Sequence, residues 1–135
     1  MKNAEHTNQV TISDVPVKFT NEAEHVGVLR NIKGNMPNIL MRICKHKKAL
    51  GAVLSAGLAH GHRGNPAAAL RVHQLYCTPV LLSGLASLVL NKAELHIIDN
   101  HYQNTIQNLQ RLHSRTPRCI VYFLAGSLPG EAILH

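Results

Sequence analysis

The sequence predicts an α+β chain that is mainly helical, a short N-terminal strand group followed by a three- to four-helix bundle. Three observations predict it. Before residue 35, short β-branched runs alternate with turn residues. After it, apolar residues recur at spacings of three and four. The later segments open on helix-start signals. With 135 residues, 45% of them apolar, the chain has the length and composition of one globular domain. No Trp is present and aromatics make up only 4%, so the core must come from Leu, Ile, Val and Ala.

The strand-rich segment is assigned to residues 1–34. Val10-Thr11-Ile12 and Val15-Pro16-Val17 flank Ser13-Asp14, a turn pair, which predicts a hairpin. Pro16 has no N–H to donate, so its run belongs at an edge or at a strand start. A third strand is expected over residues 25–30, and Gly34 turns the loop that follows.

The helical part is assigned to residues 35–135, with a further apolar segment at its end that suggests a truncated C-terminus. Four helices are predicted, over residues 37–58, 66–90, 92–113 and 117–125. Their start signals are Pro37 after Asn35-Met36, Asn65-Pro66, the capping-box pattern Asn91-Lys92-Ala93-Glu94, and Thr116-Pro117. Asn65 and Thr116 are expected to cap through their side chains. The second helix becomes apolar nearly all round, which predicts burial of Leu81, Leu82, Leu85, Leu88 and Val89. Pro79 removes a backbone donor and predicts a kink near Leu75 and Tyr76. No run reaches the ~20 apolar residues that span a bilayer, and the polar first 25 residues do not resemble a signal peptide.

Charge is distributed unevenly. The formal net charge is +7, and residues 26–73 hold Arg30, Lys33, Arg42, Lys45, Lys47, Lys48, Arg63 and Arg71 with no Asp or Glu. Such a block either solubilises a surface or binds a polyanion through counterion release. On the first helix, Ile39, Ile43, Leu50, Val53 and Leu54 share one arc, while Arg42, Lys45 and Lys48, spaced by three, share another. This pattern favours phosphate contact. The expected nucleic-acid-binding residues are Arg42, Lys45, Lys48, Lys47, Arg63 and Arg71.

Catalytic constellations are weak. His60-x-His62 lacks a third ligand at metal-binding spacing. Cys44, Cys77 and Cys119 are far apart, which argues for a reduced, intracellular chain rather than a disulfide scaffold. Seven carboxylates form no acid–base or metal-binding pair. Gly57, Gly61 and Gly64 allow a phosphate-cradling loop, but no GxxxxGK[ST] is present. No catalytic residue, metal or cofactor is assigned.

The ordered set His25-Val26-Gly27-Val28, then Leu75-Tyr76 with Pro79-Val80-Leu81-Leu82-Ser83-Gly84-Leu85, then residues 109–117, resembles the reverse transcriptase of non-LTR (LINE-type) retrotransposons where its palm ends and its thumb begins. Cys77 and Ser83 depart from that pattern. The paired palm aspartates that hold two metals are also missing, since Asp14 and Asp99 are the only aspartates. The resemblance therefore implies a palm edge and thumb without polymerase activity of its own. Its partner would be an RNA–DNA or DNA duplex gripped through phosphates, or the missing palm and fingers of a parent polymerase. The rival readings are a helical protein-interaction module and an inert retroelement fragment.

Overall fold

The computed structural model describes residues 11–12, 15–16, 22–25, 28–31, 34–58 and 65–134. The chain is mainly helical. Helix α1 (Met36–Val53) continues as a π-helical turn, Leu54–Leu58. Helix α2 (Pro66–Val72) runs through a second π-helical turn, His73–Cys77, into α3 (Thr78–Leu82). Then follow α4 (Lys92–Leu109), α5 (Arg118–Ala125) and α6 (Gly130–Leu134). No helix among the described residues is long and apolar enough to cross a membrane.

The strands are short antiparallel ladders, not a sheet layer. Strand β1 (Thr11–Ile12) pairs with β2 (Val15–Pro16), and β3 (Glu22–His25) with β4 (Val28–Asn31). The turn pair Ser13-Asp14, on which the predicted hairpin rests, lies outside the described residues. A single strand over residues 25–30 is corrected, because His25 and Val28 face each other on partner strands.

Two apolar clusters form the core. Leu70, Leu81, Tyr102, Ile106, Val121 and Tyr122 make the larger, and Ile39, Leu85 and Ile98 the smaller. Ile43, half-buried on α1, packs against both. Asp99 ties the C-terminal helices to α4. Its carboxylate accepts from Tyr122 Oη at 2.7 Å, from the Gly130 N–H at 2.9 Å and from Arg118 Nη1 at 3.1 Å. A largely buried carboxylate satisfied three times in this way is held in place by strong charge-assisted bonds.

Helix boundaries follow local chemistry. Asn65 Oδ1 accepts from the Ala67 N–H at 2.9 Å, as expected of a cap. The capping box at the start of α4 is complete, with Glu94 N–H to Asn91 Oδ1 at 2.8 Å and Asn91 N–H to Glu94 Oε2 at 2.9 Å. Thr116 does not cap α5. Its hydroxyl donates backward to the His113 carbonyl at 2.7 Å, and Pro117 takes the N-cap position. Asn35 does not cap α1 with its side chain either, but donates across the bundle to the Val89 carbonyl at 2.8 Å.

The second predicted helix ends early. Ser83 turns extended with ψ 121°, and Gly84 adopts φ +75°, so the helix stops at Leu82 instead of residue 90. Leu81 and Leu85 are buried as predicted and Leu82 and Leu88 are half-buried, but Val89 is 95% exposed because no helix carries it inward. The stretch in which Pro79 predicts a kink is the π-helical turn His73–Cys77, in which the Thr78 N–H reaches back five residues to the His73 carbonyl. Helix α4 also stops before residue 113. Arg111 takes φ +55°, and the Leu112 N–H bonds the Gln107 carbonyl at 3.0 Å. This is the Schellman closure usually built with glycine, here without one.

Candidate functional site

The predicted cationic face of α1 divides three ways. Lys45 and Lys48 are exposed, about 60° apart around the helix at 100° per residue. Lys47 is also exposed but lies about 160° from Lys45, against a cleft on the other flank. Arg42 is a correction. It is 6% exposed, its guanidinium lying beside Gly84, because β4 and α3 both pack on that flank of α1 and widen the buried arc. Arg71 is exposed on α2 and lines a shallower surface pocket with Gln74 and Leu124. Arg63, the His60-x-His62 pair and Gly61 and Gly64 lie outside the described residues. Among the described residues, Lys45, Lys47, Lys48 and Arg71 make no ion pair.

The structure also brings together three histidines that sequence reasoning missed. His46 from α1 lies with its Nε2 3.0 Å from His73 Nε2, and its Nδ1 3.0 Å from His101 Nε2 on α4. The rings meet edge to face, at interplanar angles of 90° and 85°. His46 and His73 are fully buried. Burial, reinforced by the neighbouring imidazoles, pushes both down from the ordinary 6.5 to about 4. His101 is lowered too, first by burial and then by the nearby Lys47 ammonium. All three are therefore neutral at pH 7.

Neutral rings give the chain a direction. His73 Nδ1 is buried with no hydrogen-bond partner among the described residues. A bare acceptor nitrogen is cheaper to bury unpaired than an N–H donor. With His73 Nδ1 left bare, the His73 proton sits on Nε2 and is donated to His46 Nε2. His46 then carries its own proton on Nδ1 and donates it to His101 Nε2, which leaves the His101 proton on Nδ1. His46 spends both nitrogens, on opposite edges of its ring, so the three imidazoles form a line and do not converge on one point. No group of three metal-ligating side chains converges among the described residues. Ten histidines in 135 residues was the available signal, but positions 46, 73 and 101 share no local spacing.

His101 opens onto a cleft of about 460 Å³ between α1, α2 and α4. Leu50, Leu54, Ala69 and Leu109 line it with apolar side chains. Among the described residues, Lys47 and Arg111 are its charged lining groups, and Asn104 and Asn108 add amides. Cys77, by contrast, is buried in the core, and burial pushes its thiol pKa up, which makes it a poor nucleophile.

Compared with protein-family models, curated proteins and solved structures, the chain matches none. Its function must therefore be read from the geometry of its own residues.

Proposed function

We propose that this chain binds nucleic-acid duplexes through their phosphates without reading sequence, in the manner of the reverse transcriptase thumb that its sequence resembles. One observation carries the reading. Lys45 and Lys48 stand exposed one turn apart on α1, in a stretch that holds no acid from residue 26 to residue 73. Exposed cations without carboxylate partners remain available to release counterions from a duplex. Arg71 extends the positive surface onto α2. Arg42 is withdrawn from the binding set because it is buried, and Lys47 belongs to the cleft.

The test is fluorescence anisotropy with an RNA–DNA duplex over a range of salt concentrations. The double variant Lys45→Gln, Lys48→Gln is expected to weaken binding alike for unrelated sequences. It should also flatten the log–log salt slope by roughly 0.9 for each phosphate that is no longer neutralised. Absence of wild-type binding at low salt, or an unchanged slope in the variant, would overturn the proposal.

A specific surface favours a second reading as a protein-interaction module. The outward face of α5 is apolar, with Phe123 84% exposed and Ile120 and Leu124 beside it. A chain that does not bind duplex, but loses self-association or partner capture on Phe123→Ser, would fit this reading instead.

A further inference from the structure

We propose that the cleft between α1, α2 and α4 binds a small organic anion with an apolar body, and that His101 in its wall links this binding to proton uptake. The cleft's volume of about 460 Å³ lies within the range typical of small-molecule sites. Its composition selects the class of ligand. Leu50, Leu54, Ala69 and Leu109 supply an apolar surface for a hydrocarbon or ring. Lys47 and Arg111 are cations, and no carboxylate among the described residues lines the cleft to repel an anion or attract an amine.

The proton link follows from the groups that face His101. From α1 these are His46 and Lys47, and His73 lies behind His46 on the π-helical turn. Tyr102 packs on the His73 ring, and Arg111 lines the same cleft beyond the end of α4. None of these is an acid, so none of them favours imidazolium at His101. An anion in the cleft adds the missing negative charge and raises the proton affinity of His101. Protonated His101 donates from both ring nitrogens, so His46 Nδ1 must become an acceptor. The His46 proton then sits on Nε2 and is donated to His73 Nε2, and the His73 proton moves to Nδ1, where it is buried unpaired, so this state holds only while the anion's charge keeps His101 protonated. The four protons of this state are the original three and one taken from solvent. A change of charge in the cleft is thus written into the tautomer of a ring buried in the core.

The experiment uses the whole chain, with octanoate as the probe, octylammonium as the opposite-charge control and octanol as the neutral one. Isothermal titration is run in buffers of different ionisation heat, and long-range proton–nitrogen spectra report the imidazole tautomers. Octanoate is expected to bind with unit stoichiometry, more tightly at pH 6 than at pH 8 and with net proton uptake, while both controls bind more than ~10-fold more weakly, the scale of one charge-assisted hydrogen bond. Lys47→Gln and Arg111→Asn should each weaken octanoate several-fold. The asparagine is chosen because it tolerates the left-handed backbone at that position. His101→Gln should bind octanoate but lose the pH dependence, and the His73 signals should exchange tautomer only in the wild type. Equal binding of octanoate and octylammonium, octanoate binding unchanged in both Lys47→Gln and Arg111→Asn, a pH dependence that survives His101→Gln, or no octanoate binding at millimolar concentration would each overturn the proposal. Lys47 is exposed and lies off the buried arc of α1, so Lys47→Gln keeps the fold and the test remains decisive.

Discussion

The Nε2 atoms of His46 and His73 lie 3.0 Å apart in the core, with both rings closed to solvent. Two imidazoles so placed are held neutral, and unfolding in acid frees them to take up protons. In the unfolded chain each titrates near 6.5, in the folded one near 4. Below about pH 6.5 the unfolded state therefore binds more protons than the native state, and stability falls as pH falls. The loss begins near pH 6.5 and levels off near pH 4. Its slope is at most about 1.4 kcal/mol per pH unit for each ring. Urea midpoints measured from pH 7.5 to 4.5 check this. His73→Leu should lower stability at pH 7 and shallow the slope below pH 6.5. A wild-type midpoint that does not move between pH 7 and pH 5 would contradict it.

Gly84 and Gly126 both take left-handed backbone, at φ +75° and +58°, but their surroundings differ. A methyl group at Gly84 would stand 2.7 Å from Val28 Cγ2 and 3.2 Å from Arg42 Nη2, whereas one at Gly126 meets nothing within 4 Å. Gly126→Ala is expected to cost about 1 kcal/mol, the backbone penalty alone. Gly84→Ala should cost more, roughly 2–4 kcal/mol, since the clash adds overpacking strain of ~1–3 kcal/mol. Thermal melts of the two variants side by side measure the difference. Equal losses would mean that the contact with β4 is not formed.

Leu85 and Val89 sit four residues apart, yet one is buried and the other 95% exposed. Leu85→Ala should destabilise by ~2–5 kcal/mol, as deletion from a packed core does. Val89→Ala should stay within about 0.5 kcal/mol. Denaturant unfolding of both variants decides the point, because a continuous helix to residue 90 would make the two losses alike.

The contrast also marks what could be read from the residues alone. Starts of helices were legible, since a cap acts within three residues and Asn65, Asn91 and Glu94 carry their own partners nearby. Ends were less so. Gly84 was visible inside the apolar run, but the side chains that crowd it, Val28 and Arg42, are distant in sequence. Arg111 closes α4 in a position where glycine is the usual signal. At the candidate site, the exposure of Lys45 and Lys48 followed from helical periodicity. The burial of Arg42 did not, because two neighbours cover one helix and the wheel shows only one face. The histidine chain joins positions 27 and 55 residues apart, and a count of histidines does not say which of them meet.

Asn35 gives the bundle a property of time. Its amide donates to the Val89 carbonyl at 2.8 Å and to Glu94 Oε2 at 3.4 Å, so the two longest helices are pinned together where each begins. The bonded residues are 54 and 59 apart in the chain, and such a loop closes only after its ends have been brought back together. The pin is therefore expected to arrive late in folding and to hold back unfolding. Contacts missing from the transition state govern how long a native molecule lasts more than how fast it forms. Asn35→Ala should speed unfolding while leaving refolding nearly unchanged, so that one amide at the rim of the smaller core cluster bears on how long the bundle lasts.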